Sequence, residues 1–166
     1  MGKRILVVGG GGREHSLAWK LSQSPKVSRI FAAPGNGMPP EVATPTRIDI
    51  TNLAGLAVFA EQNKVDLTMV GPDEALACGI VDVCQEHGLN IFGPTRRAAQ
   101  IEWSKSFAKE FMTAEKIPTA NFGVFRDYQE AMEFVRGHDA PVVIKADGLA
   151  RGKGAHLCTS TVQAEQ

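Results

Sequence analysis

Two glycine-rich stretches of this chain carry cationic side chains, and each could bind a phosphate group. The first runs from Gly9 to His15, with the sequence GGGGREH, and directly follows the apolar run Ile5–Val8. A glycine turn that opens a helix presents backbone N–H groups at the positive end of the helix dipole. Arg13 adds a guanidinium that can donate two parallel hydrogen bonds to one phosphate. The first stretch therefore predicts a phosphate site, unless its glycines serve only a tight turn.

The spacing of these glycines does not match a dinucleotide-binding fingerprint. That fingerprint needs glycines at positions n, n+2 and n+5, and an acid about twenty residues later for the ribose hydroxyl. Counting from Gly9 puts Glu14 at the third place, and counting from Gly10 puts His15 there. The second apolar run ends at Pro34–Asn36 without a carboxylate. NAD binding, and with it a dehydrogenase, is therefore disfavoured, whereas a helix start that holds one monophosphate remains.

The second stretch, Lys145–Gly154, has the sequence KADGLARGKG and does not form a Walker A loop. Walker A needs four residues between its glycines and a Ser or Thr after its lysine. Here only three residues separate Gly148 from Gly152, and Gly154 follows Lys153. The apolar run after Gly154 also predicts a strand, where a Walker A loop is followed by a helix.

The same stretch is typical of a flexible loop between two antiparallel strands. Glycine hinges and the cations Arg151 and Lys153 suit a flap that closes over a polyphosphate. The alternative is a solvated hairpin tip with ordinary surface charges. Lys145 ends an apolar strand, where an unpaired ammonium is costly, so we expect it to face an anion.

The alternation of short apolar runs and amphipathic stretches predicts the elements that position these loops. Strands are expected at 4–8, 29–32, 47–50, 66–70 and 89–92, and helices at 14–23, 53–63 and 74–87. Runs that are apolar on both faces indicate a parallel sheet covered by helices, so we expect a doubly wound α/β domain. Ligands of such sheets lie outside the carboxyl ends of the strands. The turns Pro34–Gly37, Gly71–Glu74 and Gly93–Thr95 follow predicted strands there, so we expect them to share one pocket with the first stretch.

The pattern changes after residue 93. Thr95 and Ser104 are suited to cap two helices, the second of which runs to about Lys116. A strand is expected at 121–125, a helix at 128–136, strands at 142–145 and 155–158, and the first turn of a helix at 161–166. We therefore expect one domain over residues 1–120 and the incomplete start of a second over 121–166.

Composition and charge narrow the choice of partners and compartment. Lys and Arg number 18, as do Asp and Glu, so we expect neither nucleic acid nor a membrane as a partner. The three cysteines form no CxxC pair and suit a reducing cytosol, and we expect them to be buried thiols. The apolar run near the N-terminus is too short for a signal sequence or a membrane span, which predicts a cytoplasmic protein.

Together, several segments of the chain resemble one enzyme family. They are GGREHSLAWKL, APGN, IFGPT, SKSFAKEFM, KIPTA and VIKADGLARGKG, and they extend over the whole chain. The chain is similar to the phosphoribosylamine-glycine ligases of the ATP-grasp superfamily. That resemblance implies a pre-ATP-grasp domain followed by the start of an ATP-grasp domain. It also implies ATP-dependent ligation of glycine to 5-phosphoribosylamine through a glycyl phosphate, in purine biosynthesis.

The resemblance assigns a substrate to each glycine-rich stretch. The residues implied at 5-phosphoribosylamine are Gly9, Gly10, Gly11, Gly12, Arg13, Glu14, Pro34, Gly35, Asn36, Gly71 and Asp73. Those implied at ATP are Lys105, Lys145, Gly148, Arg151, Gly152, Lys153 and Gly154, with Lys105 and Lys145 as the catalytic lysines. The accompanying Mg²⁺ is expected to bind residues outside this chain, and no metal ligand is expected within it.

The chain departs from the family pattern at two of these positions. Asp73 stands where Glu is usual, which leaves Glu74 as an alternative, and Arg151 stands where Ala is usual. Family members are much longer than this chain, so we expect a fragment that does not turn over without the missing C-terminal lobes. Two other functions stay open: a non-catalytic module that binds nucleotides or phosphate, and another ATP-grasp carboxylate-amine ligase.

Overall fold

The computed structural model describes residues 2–138, 141–150 and 153–165. It divides into two compact units, Met1–Ala99 and Gln100–Gln166. The strands are β1 (Lys3–Gly9), β2 (Val27–Pro34), β3 (Thr44–Pro45), β4 (Leu67–Val70), β5 (Ile91–Phe92), β6 (Val142–Lys145) and β7 (Ala155–Cys158). The helices are α1 (Gly12–Ser22), α2 (Leu53–Gln62), α3 (Asp73–Cys78), α4 (Ile80–Glu86), α5 (Arg96–Trp103), α6 (Lys105–Ala114), α7 (Tyr128–Arg136) and α8 (Thr161–Glu165).

The first unit is built on a five-stranded parallel sheet. Its strands lie in the order β3-β2-β1-β4-β5, and each neighbouring pair is parallel. The chain moves outward from β1 through β2 to β3, and then crosses to the other side of β1 for β4 and β5. The predicted doubly wound α/β fold is therefore confirmed. In such a sheet the ligand crevice opens where the strand order reverses, which here lies between the carboxyl ends of β1 and β4.

The core of this unit lies on both faces of β1. Leu6 and Val8 are fully buried in one cluster, whereas Ile5 and Val7 are buried in a second. Because side chains alternate across a strand, the two clusters occupy opposite faces of the sheet. Burying a Leu, Ile or Val side chain contributes about 1.5–3 kcal/mol relative to exposing it. β1 is thus packed on both faces, and this packing positions the glycine loop that follows it.

The strand predicted at 47–50 is wrong. The strand that pairs with β2 is formed earlier, by Thr44 and Pro45, and residues 47–50 form no strand. Arg47 has a φ of 59°, which lies in the left-handed region and cannot continue an extended strand. Ile48 and Ile50 instead pack from an irregular segment against the core, so their apolar character reflects burial and not strand pairing.

The helix predicted at 74–87 is divided into two. α3 ends at Cys78 and α4 begins at Ile80, because Gly79 between them has a φ of 96°. Glycine adopts this left-handed conformation without the steric cost that a Cβ atom brings. The apolar periodicity continues across the break, with Ala75 and Val81 both buried, which is why the pattern alone predicted one helix.

The second unit contains the antiparallel pair of β6 and β7, with Lys145 opposite Ala155. Both predicted strands and the helices at 128–136 and after residue 160 are confirmed. Ser104 caps α6 as expected, by accepting a hydrogen bond from the Phe107 N–H (3.3 Å). The strand predicted at 121–125 is wrong. In this segment Phe125 turns onto Phe134 of α7, with ring centroids 4.9 Å apart.

The division between the units falls after Ala99, earlier than the domain boundary expected at residue 120. One physical reason is that Ser104, at the start of α6, hydrogen-bonds Asp147, so α6 associates with the later part of the chain. Among the described residues, no helix is long and apolar enough to cross a membrane.

Candidate functional site

The first glycine loop, residues 9–12, lies at the carboxyl end of β1, where the strand order reverses. Gly9 has a φ of 125°, which a residue with a Cβ atom rarely adopts. The loop leads directly into α1, which begins at Gly12. The first N–H groups of a helix have no acceptor within the helix. The predicted sequence of strand, glycine turn and helix start is therefore confirmed, whereas phosphate binding by it stays a prediction.

Glu14 fills the space between the loops that follow β1 and β4. Its side chain is buried, and one carboxylate oxygen accepts a hydrogen bond from the Gly11 N–H (2.7 Å). A Cβ atom on Gly9 would lie 2.3 Å from Glu14 Cγ, and one on Gly71 would lie 2.0 Å from Glu14 Oε1. The absence of side chains at these two glycines makes room for the carboxylate. Glu14 thus occupies the third place of the failed dinucleotide fingerprint, and it takes the Gly11 N–H away from any anion.

Arg13 bridges the loops after β1 and β4. Its Nη1 atom donates a hydrogen bond to the carbonyl oxygen of Gly71, and its Nε lies 4.0 Å from Glu14 Oε1. The Arg13 side chain is nevertheless 67% exposed. The guanidinium has five N–H donors, so it can contact an anion in solvent while it remains attached to Gly71. The structure therefore brings Arg13, Glu14 and Gly71 together, as their assignment to one site requires.

The turn after β2 lies against the same glycine loop. A Cβ atom on Gly10 would lie 3.5 Å from the Asn36 nitrogen and 3.6 Å from Pro34 Cγ. Gly35, with a φ of 75°, leaves no room for a side chain, because its Cβ would meet Ala32 Cβ at 2.8 Å. The turns after β1, β2 and β4 thus lie close together, whereas the pocket that they are expected to share with the Gly93–Thr95 turn stays a prediction.

Asp73 and Glu74 lie in the first turn of α3, directly after the Gly71 turn. Asp73 is exposed and Glu74 is half-buried. Acidic residues at a helix start interact favourably with the helix dipole, so their place alone does not decide between capping and ligand contact. The assignment of Asp73 to the substrate stays a prediction.

The second glycine-rich stretch connects β6 and β7 as a hairpin loop, as predicted. The Ala146 N–H donates to the Gly154 carbonyl (2.8 Å) just beyond the last strand pair. Gly148 follows with a φ of 85° and open space around it. We call residues 148–154 the flap. Arg151 and Gly152, two of the predicted ATP-binding residues, lie outside the described residues.

The contact of Lys145 with an anion stays a prediction, but the strand that it ends is not buried. Lys145 and two of its three β6 neighbours, Val143 and Ile144, are exposed in this structure. An ammonium in water carries no desolvation cost, so its position in an apolar run does not itself require an anion. Lys153 is exposed as well. Both lysines are accessible to a ligand, but the argument from burial no longer supports them.

Asp147 connects the flap to the start of α6, and sequence reasoning missed it. Its carboxylate accepts hydrogen bonds from Ser106 Oγ (2.6 Å), from the Ser106 N–H (3.1 Å) and from Ser104 Oγ (3.3 Å). Beside it, Lys105 Nζ donates to the Gly148 carbonyl (2.8 Å). The structure thereby joins the SKSF and IKADG segments, which contain the two predicted catalytic lysines.

These hydrogen bonds shift the pKa of the Asp147 carboxyl. The Ser106 hydroxyl is the main cause, and the backbone N–H groups of Ser106, Gly148 and Lys105 add to it, so the pKa falls to about 2. Hydrogen bonds to a carboxylate favour its charged form. Asp147 is therefore an anion at neutral pH, fixed at the N-terminus of α6 where the helix dipole stabilises negative charge.

The remaining ionisable groups do not form a metal site in the part of the chain that the structure describes: no cluster of three or more His, Cys, Asp or Glu residues there could hold an ion. The three cysteines are free thiols. Cys84 and Cys158 are buried as expected, and burial raises the pKa of the Cys84 thiol. Cys78 is exposed, which corrects the expectation that all three are buried; it is the last residue of α3, next to the break at Gly79.

Comparison with solved structures gives the class of protein first. The chain shares its fold with the ADP complex of an N5-carboxyaminoimidazole ribonucleotide synthetase, with a TM-score of 0.76 at 18% identity over 99% of this chain and 43% of the other. A phosphoribosylamine–glycine ligase from Thermotoga maritima matches at a TM-score of 0.76 and 29% identity, over 98% of this chain and 37% of that one. The class of protein is therefore an α/β domain that is followed by a segment whose sequence matches an ATP-grasp domain.

The chain belongs to the phosphoribosylglycinamide synthetase family. The model of the family's N domain matches residues 3–102, and the model of its ATP-grasp (A) domain matches residues 103–166. The phosphoribosylamine–glycine ligase of Halalkalibacterium halodurans is 49% identical over 96% of this chain and 37% of its own length. That of Escherichia coli K12 is 48% identical over 98% of this chain and 38% of its own length. The chain thus spans less than two fifths of these relatives.

Proposed function

We propose that this chain is part of a phosphoribosylamine–glycine ligase, in which the first unit binds 5-phosphoribosylamine and the second contributes to the ATP site. The observation that carries the proposal is the similarity to relatives of that name, 46–49% identical over 96–98% of this chain. The reaction joins glycine to 5-phosphoribosylamine with ATP and belongs to purine biosynthesis.

In the first unit, the loops after β1, β2 and β4 would hold the sugar phosphate. The start of α1 offers backbone N–H groups and a positive dipole end, which suit the 5-phosphate. Arg13 supports this proposal because its side chain is anchored to the Gly71 carbonyl and still reaches solvent. The buried Glu14 supplies an oxygen acceptor that suits ribose hydroxyls. Gly35 and Asn36 complete the site from the turn after β2.

In the second unit, Lys105, Lys145 and the flap would contact the ATP phosphates. Transfer of the γ-phosphoryl group to the glycine carboxylate gives glycyl phosphate and ADP. The amine of 5-phosphoribosylamine then attacks the acyl carbon, and inorganic phosphate leaves. Lysines near the transferred group stabilise the charge that develops on its oxygens. No side-chain nucleophile is needed for this sequence of steps.

Three further features belong to the same proposal. Mg²⁺ accompanies ATP and is expected to bind carboxylates outside this chain, as its relatives are longer. The protein is expected to act in the cytoplasm on small molecules. We keep the domain boundary near residue 120 as a proposal. It differs from the division into compact units, which falls after Ala99.

A ligation assay with ¹⁴C-glycine tests the proposal. The full-length protein is expected to form labelled glycinamide ribonucleotide only when ATP and 5-phosphoribosylamine are both present, with one ADP released per product. The isolated chain of 166 residues is expected to give no turnover, which would show that the remaining lobes are needed.

The same assay separates the two alternatives. ATP consumption that depends on another carboxylate or amine, but not on glycine and 5-phosphoribosylamine, would point to a different ATP-grasp ligase. Binding of ATP and ribose 5-phosphate without any product from the full-length protein would point to a non-catalytic module. Either result would overturn the proposed ligation.

A further inference from the structure

Asp147 is the centre of a group of contacts between two short segments that are far apart in the sequence. Residues 104–106 open α6, and residues 147–148 follow β6. The Ser106 hydroxyl and N–H and the Ser104 hydroxyl all donate to the Asp147 carboxylate. Lys105, between the two serines, donates from its ammonium to the Gly148 carbonyl (2.8 Å). Residues 104–106 thus form hydrogen bonds with both Asp147 and Gly148.

These contacts lie at one end of the flap. The strand pairing of β6 and β7 ends at Lys145, and the Ala146 N–H adds one more bond across the hairpin to Gly154. Asp147 is therefore the last residue of the ascending arm before Gly148, whose positive φ redirects the chain into the flap. A Cβ atom on Gly148 would meet nothing within 4 Å, so the chain has open space beside it where it enters the flap.

The contacts also tie the backbone segment that follows Lys145 to the segment that contains Lys105. Lys145 lies two residues before Asp147, and Lys105 lies between the serines that bind it. The hydrogen bonds that the Asp147 carboxylate accepts restrict how far these two segments can move apart. Preorganised cations bind a polyphosphate more tightly than mobile ones, because less conformational entropy is lost on binding.

We propose that Asp147 is a positioning residue for the nucleotide phosphates: it holds the base of the flap and Lys145 against the Lys105 end of α6, without touching the nucleotide itself. This inference rests on the proposed function, since Lys105 and Lys145 are taken to contact ATP. It predicts that a substitution of Asp147 weakens the affinity for the nucleotide. The affinity for 5-phosphoribosylamine, which would bind the first unit, is expected to stay unchanged.

The test compares two aspartates that cap helices in the same unit. Asp147→Asn in the full-length protein removes the negative charge and replaces one of the two acceptor oxygens with an NH2 donor, so the side chain can no longer accept from both the Ser106 N–H and the Ser106 hydroxyl. Asp127→Asn is the matched control, because Asp127 accepts hydrogen bonds from the Gln129 and Glu130 N–H groups at the start of α7 (2.8 and 3.1 Å). The control makes the same chemical change at a helix start whose hydrogen bonds, among the described residues, stay within the first turn of α7.

Asp147→Asn is expected to raise the KM for ATP about tenfold, the size expected for lost hydrogen bonds to a charged group. The kcat at saturating ATP and the KM for 5-phosphoribosylamine are expected to stay within about twofold of wild type, since the lost interaction affects binding of the nucleotide. Asp127→Asn is expected to leave all three constants near wild type. An unchanged KM for ATP in Asp147→Asn, or an equal rise in Asp127→Asn, would overturn the inference.

Two further measurements keep the inference testable. If Asp147→Asn does not fold, Ser106→Ala removes the shortest of the bonds and is expected to weaken nucleotide affinity in the same direction. Calorimetric titration with ADP needs no turnover, so it tests the inference even if the wild-type protein fails to ligate glycine. Loss of ligation by the wild type would refute the proposed function, whereas normal ADP affinity in both variants would refute the role of Asp147.

Discussion

At the residue scale, Glu14 shows what sequence spacing can and cannot predict. The sequence alone shows that Glu14 stands where a dinucleotide-binding fingerprint requires its third glycine. The reason for the glutamate is visible only in the fold, where its carboxylate occupies space left by Gly9 and Gly71. Gly71 is far from Glu14 along the chain, and no local pattern relates the two. The rule for parallel sheets placed the Gly71 turn at the same sheet edge as the first glycine loop, but the contact between Glu14 and Gly71 is visible only in the fold.

The close approach of Gly71 to Glu14 predicts a specific loss of stability. Gly71→Ala would place a Cβ atom 2.0 Å from Glu14 Oε1, so the buried carboxylate must move. Overpacking of this kind costs about 1–3 kcal/mol in the free energy of unfolding. Gly12→Ala is the control, since a Cβ there meets nothing within 4 Å and alanine favours a helix. Urea denaturation of both variants checks this; equal stability would contradict the packing described for Glu14.

The hydrogen bonds to Asp147 predict a pH dependence with a definite sign. The pKa of this carboxyl is lowered to about 2 in the folded chain, whereas an unfolded aspartate titrates near 3.9. Its contribution to stability is therefore fully present above about pH 4 and is lost as the pH falls through about 2. Carboxyl ¹³C chemical shifts followed by NMR would measure the midpoint.

The cause of that shift can be checked separately. Ser106→Ala removes the main hydrogen bond and is expected to raise the Asp147 midpoint toward the ordinary value. Ser28→Ala, a serine whose hydroxyl bonds the Gly2 carbonyl in the first unit, serves as the control and is expected to leave the midpoint unchanged. A midpoint near 4 in the unaltered chain would refute the hydrogen bonds assigned to Asp147.

At the scale of elements, the sequence predicted the helix-capping residues but not which apolar segments pair as β-strands. Thr95 and Ser104 were expected to cap helices and do so, because each hydroxyl accepts a hydrogen bond from the N–H group three residues later. The strands expected at 47–50 and 121–125 failed because apolar residues there pack from irregular segments. A strand needs a partner with free N–H and C=O groups, and apolar composition does not show whether one is available.

The break between α3 and α4 predicts the effect of replacing Gly79. A residue with a Cβ atom in the left-handed conformation costs about 1–2 kcal/mol, and Asn tolerates it better than Ala. Gly79→Ala is therefore expected to lower the free energy of unfolding by about that amount, and Gly79→Asn by less. Thermal or urea unfolding would rank the two. A stabilised Gly79→Ala variant would show that residues 73–86 form one continuous helix.

At the scale of the whole molecule, the proposed function assigns the sugar phosphate to the first unit and the ATP phosphates to the second. Net charge is zero, so no overall field attracts anions, and binding must depend on local groups. The first unit offers a helix start with one anchored arginine, which suits a monophosphate. The second offers lysines and a glycine-rich flap, which suit a polyphosphate. The family assignment supports this division, because its N domain and its ATP-grasp domain match the two parts of the chain.

Amide chemical-shift mapping tests this division most directly. The ¹⁵N-labelled chain, 17.8 kDa, is titrated separately with ribose 5-phosphate and with ADP. Ribose 5-phosphate is expected to shift the amides of Gly10–Glu14 and of Gly35 and Asn36, and ADP those of Lys105 and the flap. If ADP instead shifted the Gly10–Glu14 amides while ribose 5-phosphate shifted the flap, or if both ligands acted on one loop, the assignment of the two glycine-rich stretches would be contradicted.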